Sequence, residues 1–463
     1  MKLKNGVSYE KNGWKYISIR GKPKERGYAY GYLCGDDFKE IQKMLKFLMF
    51  ESYGLPWETF IEKINDSLHD KTVEKYPELY EEMVGIKDGC NAAGCKTTIE
   101  EIIAWNFYCS IPYWYSSVSD NRAGKEGGAK DRCSAFMAVG DWTEDGKIVM
   151  AHNSFADFVD GQWAKVILDI KPEKGHRIMM QTSPCWIWSG TDVFITSKGI
   201  MGTETTIGGF QPYENNDPIG YRIRTAMQYG NHLDDYVKYL IDNNSGDYAN
   251  SWLFGDTNTN EILRLELGLK YNKIDRTKNG FFIGFNATYS EEIRNLEVNN
   301  SGFYDIRRHQ GSRRVRLSDL MDEHKGTINI DIAKQIISDH YDVYLLKENP
   351  CSRTVCSHYD LDAREYMSQA DRPKPFSPHG ALDGFVSDTN LVKKMTFIGR
   401  YGNSCGTAFN KEEFCKKHRQ WENFCPYLKN RPSQPWTEFT ALKHQFRLTK
   451  KNKNSNTKTK KNV

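Results

Sequence analysis

The period of the apolar positions changes along this chain, and the change falls near residue 133. From Trp14 to Arg20 apolar and polar residues alternate, the period of a half-buried strand. Gly27, Gly31 and Gly35 then recur at helical spacing, ahead of an amphipathic stretch carrying Ile41, Met44, Leu45 and Leu48. Three glycines on one helical face predict close backbone packing, because no GxGxxG or P-loop pattern follows them. The helical period runs on from 57 to 108, broken around 89–97. After Cys133 the pattern predicts strands at 134–141 and 147–151, joined at Glu144-Asp145-Gly146. Further strands are predicted at 163–170, 177–181, 192–196, 200–206, 252–256, 262–267 and 280–286, and helices at 221–243, 330–339 and 411–417. Many strands with helices inserted, and no βαβα rhythm, indicate an α+β layered fold.

This divides the chain into a mostly helical N-terminal lobe at 1–120, a flexible linker at 121–132, a core at 133–448 and a disordered Lys/Asn/Thr tail at 449–463. The 463 residues suffice for a sizeable core, and a net charge of +4 leaves no nucleic-acid footprint. No hydrophobic run reaches the length of a membrane span, and the first residues lack the apolar stretch of a secretory signal. The 11 cysteines are scattered. Cys90 with Cys95, and Cys351 with Cys356, are close pairs, each either reduced or bridged. No metal-ligand spacing is present, so neither metal nor cofactor is expected.

The linker is rich in Gly, Lys and Arg and stops at Arg132-Cys133, where a strand begins. A cut between those two residues places a thiol and a new α-amine on Cys133. That amine titrates near neutrality and can serve as base for its own nucleophile. From these residues alone, a loop followed by a buried strand cysteine is the simpler reading. Hairpin arithmetic sets residues at roughly 156–158 opposite Cys133, leaving His152 on the order of 13–20 Å away along the neighbouring strand. His152 is then a pocket-lining group rather than a partner of the thiol. A rival pattern, Gly402-Asn403-Ser404-Cys405-Gly406, fits a nucleophile elbow with His418 and His444 downstream, but lacks the preceding parallel strands.

Five blocks in order resemble the phospholipase B-like (lamina-ancestor) family. They are Cys133-Ser134-Ala135, followed by Ala151-His152-Asn153-Ser154-Phe155; the Glu204-Thr205-Thr206 strand end; Asn244-Ser245-Gly246-Asp247-Tyr248; Ile306-Arg307-Arg308-His309-Gln310-Gly311; and Asn349-Pro350-Cys351 to Cys356. The likeness runs from about 130 to 400. Arg26-Gly27 to Gly31 and Tyr76-Pro77 to Asn106 resemble its pro-region and that of related acyltransferases. The resemblance implies a four-layer αββα sandwich of the N-terminal-nucleophile hydrolase class, cleaved at Arg132–Cys133, with Cys133 as nucleophile and Asn286 as an oxyanion-hole donor. His152 and Thr206 match further site positions, while Phe155, Asn244 and Arg308 fall at pocket positions. Phe155 stands where the family has tryptophan. The family's active-site arginine aligns near Gly302, with Arg308 and Arg313 as the available substitutes.

The implied activity is removal of acyl chains from phospholipids or related esters and amides, with transient contact at a membrane surface. The alternatives are acyl transfer and a non-catalytic binding or structural member. Relatives of the family are lysosomal or secreted. Each residue also has a purely structural reading: His152 as a core histidine, Thr206 as a strand residue, Asn286 as a turn cap, Asn244 to Gly246 as a helix stop, and Trp186 with Trp188 as core.

Overall fold

The computed structural model describes residues 3–118, 133–190, 193–299, 301–364 and 374–442. The expectations for the linker, for Arg132 and for the tail from 449 lie outside these residues. Strands are labelled β1 (Gly6–Lys11), β2 (Trp14–Gly21), β3 (Cys133–Val139), β4 (Val149–Asp157), β5 (Val166–Pro172), β6 (Ile178–Thr182), β7 (Phe194–Thr196), β8 (Ile200–Thr206), β9 (Asn250–Asp256), β10 (Glu261–Leu267), β11 (Asn272–Thr277), β12 (Gly280–Gly284), β13 (Tyr341–Asp342), β14 (Lys347–Glu348), β15 (His379–Ala381), β16 (Asp383–Asp388), β17 (Thr396–Tyr401) and β18 (Thr437–Thr440). They form a nine-stranded sheet in the order β1-β2-β5-β6-β7-β8-β9-β10-β11. A second sheet runs β12-β3-β4-β16-β17-β18, with β15 beside β4. Only the β2–β5 junction is parallel within these two sheets.

The class is α+β, as the mixed periods required. The inner faces of the two sheets share one apolar layer, in which Trp14, Ile167, Met201 and Leu253 of the first meet Met137, Met150, Phe385 and Phe397 of the second. The outer face of the first sheet packs against helices α1 (Pro23–Tyr53), α2 (Trp57–Lys75), α3 (Pro77–Ala92), α4 (Ile99–Asn106) and α5 (Ile111–Val118). The outer face of the second packs against α6 (His309–Glu323) and α7 (Ile330–Ile337), through Leu317, Met321, Ile336 and Ile337. The molecule is therefore layered helix, sheet, sheet, helix.

The glycine stripe does what its spacing predicted. A Cβ on Gly27 would lie 2.0 Å from the Glu82 carbonyl oxygen, and one on Gly31 2.0 Å from that of Ile86. From the opposite side, Cβ atoms on Gly85 and Gly89 would sit 2.3 Å and 2.1 Å from the carbonyl oxygens of Lys24 and Tyr28. Helices α1 and α3 thus touch backbone to backbone, which only glycine permits. Beside this crossing, buried Glu82 accepts from Arg26 at 2.6 Å and from Arg224 at 3.0 Å, the two cations offsetting the cost of burying its charge.

Two expectations are corrected. The 221–243 helix is two helices, Ile219–Tyr229 and Leu233–Ile241, because Gly230 turns extended between them. The β3–β4 hairpin is shifted relative to the arithmetic: Ser154 pairs with Cys133, and His152 with Ala135. A 3₁₀ turn at Gly140–Trp142 ends β3 early and moves the centre of the reversal toward Cys133.

Candidate active site

Cys133 opens β3 and is buried. Its backbone N–H donates to Asn286 Oδ1 at 3.3 Å, while its carbonyl oxygen accepts from Arg313 Nη1 at 2.6 Å. The same Nη1 reaches Ser134 Oγ at 3.1 Å, and Nη2 donates to Asn286 Oδ1 at 2.8 Å. Asn286 Nδ2 donates to the Thr206 carbonyl oxygen at 2.7 Å. Two donors on one side and a carbonyl on the other fix which way the Asn286 amide faces. The thiol points to Glu204, with Sγ 3.8 Å from Oε1, and Tyr248 donates its hydroxyl to that oxygen at 3.1 Å.

Each group is placed by a local feature. β12 ends at Gly284, short of the expected 286, and Asn286 turns left-handed at φ +63° beyond it. Asparagine tolerates that conformation better than most residues. Tyr248 has φ +63° as well, a costlier state for a bulky side chain. Arg313 lies one turn inside α6, its Nε donating to the His309 carbonyl oxygen at 3.2 Å. Its guanidinium rests 5.1 Å from the centroid of the Phe155 ring, which borrows the ring's negative face.

Of the expected residues, Cys133, Asn286, Thr206 and Phe155 meet here. Thr206 takes part through its carbonyl, and its buried Oγ1 has no hydrogen-bond partner among the described residues. His152 does not join them through a hydrogen bond. It stands two residues along from Cys133's cross-strand partner, opposite Ala135 on one side and Phe385 on the other, inside the layer between the sheets. Burial there pushes its imidazole down to about 3, so it is neutral. Asn244 is a turn residue: Nδ2 donates to the Gly268 carbonyl and Oδ1 accepts from Gly246. Arg308 precedes α6 and packs against Gly302, and Arg313 is the arginine that binds Cys133.

Glu204 and Tyr248 lie within the Glu204-Thr205-Thr206 and Asn244–Tyr248 blocks, whose spacing assigns neither a role. Asp383 was not foreseen at all. It accepts the Ser154 N–H at 2.8 Å and the Gln181 amide at 2.6 Å, holding the strand opposite Cys133. Burial raises its carboxyl to about 6, against hydrogen bonds from Gln181 and Ser154.

Cys133 borders a cavity of about 40 Å³ walled by Trp105, Tyr108, Phe155, Trp186 and Tyr248. That holds a few waters at most, against roughly 300–1,000 Å³ for a ligand pocket. The helical lobe supplies one of its walls: Trp105 Nε1 donates to the Pro184 carbonyl, and Asn106 Oδ1 accepts from Ile187 N–H, clamping the loop that carries Trp186. Trp188 stacks on Trp186 from the buried side, 5.6 Å between centroids.

No protein-family model matches the chain. It is similar to an uncharacterized protein of Archaeoglobus fulgidus, 25% identical over 239 residues that make up 50% of this chain and 39% of that protein. It is also similar to the outer membrane porin protein LC of Enterobacteria phage PA-2, 30% identical over 168 residues, or 35% of this chain and 38% of that protein. A putative outer membrane porin protein NmpC of Escherichia coli K12 matches at 28% over the same shares. The chain spans about two fifths of the length of these curated relatives. Among the described residues, no helix is long and apolar enough to cross a membrane.

Of the two alternatives open to the close cysteine pairs, the structure has the reduced one. Cys90, Cys95, Cys351 and Cys356 are free, whereas Cys415 and Cys425 are bridged. Cys90 Sγ faces Cys185 Sγ at 3.5 Å, and burial pushes the Cys351 thiol up to about 12.

Proposed function

We propose that this chain is an acyl hydrolase of the N-terminal-nucleophile class, phospholipase B-like, that matures by cleavage before Cys133. One observation carries the reading: Cys133 is held by its backbone on both sides, N–H on Asn286 and C=O on Arg313. A cysteine that works with an imidazole needs that ring at its sulfur, whereas the Cys133 sulfur faces Glu204 and His152 makes no hydrogen bond to it. A cysteine that becomes a chain end needs its nitrogen held in place, because that nitrogen is the base. The helix–sheet–sheet–helix layering supports the same class.

In maturation the Cys133 thiol gives its proton to Glu204 and attacks the carbonyl of the preceding residue. The Cys133 nitrogen leaves, taking up a proton, and the chain is held as a thioester until water hydrolyses it. The products are a free carboxylate, the restored thiol and an α-amine beside Asn286 Oδ1. In turnover the amine takes the thiol proton, the thiolate attacks an acyl carbonyl, and the leaving group departs with that proton. Asn286 Nδ2 has one hydrogen on Thr206 and a second to offer the oxyanion. Water then releases the acid. The aromatic walls suit an acyl chain, in an ester or an amide. The small volume of the cavity favours one other reading, a non-catalytic member that keeps the fold.

Intact mass and N-terminal sequencing of the wild type beside Cys133→Ala decide between them. A wild-type fragment starting at Cys133, with the variant whole, supports the hydrolase. Both proteins uncut after acidification and mild protease overturn it and leave the non-catalytic reading.

A further inference from the structure

A second group of reactive side chains lies behind Phe155. His340 follows α7, Cys356 and His358 sit two apart in the loop after β14, and Cys405 belongs to the loop after β17. One ligand atom from each, two imidazole nitrogens and two sulfurs, falls within 4.8 Å of all the others. We infer that these four residues bind one zinc ion as a closed, structural Cys₂His₂ site.

Geometry and chemistry both point there. His358 Nε2 stands 3.5 Å from Cys356 Sγ and 3.5 Å from Cys405 Sγ. Tetrahedral zinc, with Zn–S about 2.3 Å and Zn–N about 2.0–2.1 Å, separates sulfur and nitrogen ligands by about 3.6 Å. His340 Nε2 is buried without a hydrogen-bond partner among the described residues, and its ring centroid lies 5.1 Å from that of His358. On the far side of His358, Nδ1 faces Asp360 Oδ1 at 3.5 Å, the carboxylate that orients a zinc-bound imidazole and fixes its tautomer. Thiolates with imidazoles in a four-ligand set select zinc over the hard cations. The absence of metal-ligand spacing along the chain is explained by the fold, because the ligands come from three separate segments.

Those segments are already stitched together at one point. Asn153 Nδ2 donates to the Ile337 and Val355 carbonyls and reaches Ser404 Oγ, each within three residues of a ligand. Cys356 packs on Phe155, whose ring supports Arg313. The zinc therefore pins α7 and two long loops against β4, and its loss loosens the wall behind Cys133. Half-buried His340 and Cys405 give the ion its way in.

The test uses the full chain, purified reduced and without a metal-affinity tag. Elemental analysis is expected to find about one zinc per chain. Exchange into cobalt is expected to give the visible d–d bands and sulfur charge-transfer absorption of a tetrahedral S₂N₂ site. Cys405→Ser and His340→Gln should each retain at least tenfold less zinc, while Cys351→Ser, outside the cluster, retains it fully. Should the variants fail to fold, wild-type stoichiometry and the cobalt spectrum decide alone. The inference is overturned by reduced protein that holds no zinc and gives no tetrahedral cobalt spectrum, or by peptide mapping that finds Cys356 disulfide-bonded to Cys405.

Discussion

Arg313 and Cys133 are 180 positions apart in sequence, and Arg313 Nη1 donates to the Cys133 carbonyl at 2.6 Å. Its other terminal nitrogen binds the Asn286 oxygen that also accepts the Cys133 N–H. One guanidinium thus sets both the strand end and the amide beside it. Arg313→Lys keeps the charge but loses the two-pronged fork. Maturation measured by intact mass should slow on the order of 100-fold, the scale of one lost preorganised donor. Arg313→Ala should also cost about 1–3 kcal/mol in a urea melt, since buried acceptors lose their donor. A Lys variant that matures at the wild-type rate removes Arg313 from the mechanism.

Glu204 accepts the thiol hydrogen before any α-amine exists. Glu204→Gln should therefore slow self-cleavage by roughly 10²–10⁴-fold, the usual worth of a positioned base. Once the variant is cut by an added protease at the same bond, acyl release should be far less affected, because the amine then acts as base. Equal losses in both assays would reject separate bases for the two steps.

Two buried groups, Asp383 and His152, contribute opposing pH dependences to stability. Asp383 titrates at about 6 folded and at about 3.9 unfolded, so its contribution is fully present at acid pH and lost as pH rises through about 6. His152 titrates at about 3 folded and at about 6.5 unfolded, so its contribution is present above about 6.5 and lost as pH falls toward 3. Asp383→Asn leaves the histidine uncompensated. Its melting temperature should fall below that of the wild type progressively from pH 6 to pH 4, by the equivalent of about 1–3 kcal/mol. A difference constant with pH would contradict the assignment.

Gly31→Ala puts a methyl 2.0 Å from the Ile86 carbonyl oxygen and must push α1 off α3. The expected cost is at least about 1–3 kcal/mol, the range for overpacking. A calorimetric melt unchanged from the wild type would show that the two backbones do not touch.

The walls around Cys133 leave about 40 Å³, and Trp186 is one of them. Trp186→Ala should raise the rate at which a thiol reagent labels Cys133 in the uncut chain, read by peptide mapping. Unchanged labelling would mean that Trp186 is not the barrier.

The sequence by itself determined the features that repeat at short range. The glycine stripe announced the α1–α3 contact, alternation located β2, short strand-like runs located β8 and others, and the block beginning at Cys133 marked the start of the second sheet. These signals are legible because the helical and strand periods are properties of neighbouring residues. Only the tertiary structure decided which residues surround the thiol. Arg313 rather than Arg308 binds Cys133 because the turn of α6 that faces the sheet is chosen by packing. The hairpin register followed from a 3₁₀ turn that carried no alternation signal, and it brought His152 to within two residues of Cys133's cross-strand partner. Cys356 is reduced and faces Cys405 and two histidines, across separations where no local period acts. Contacts between distant segments depend on how layers stack and which register each strand takes, and the chain writes neither in its local pattern.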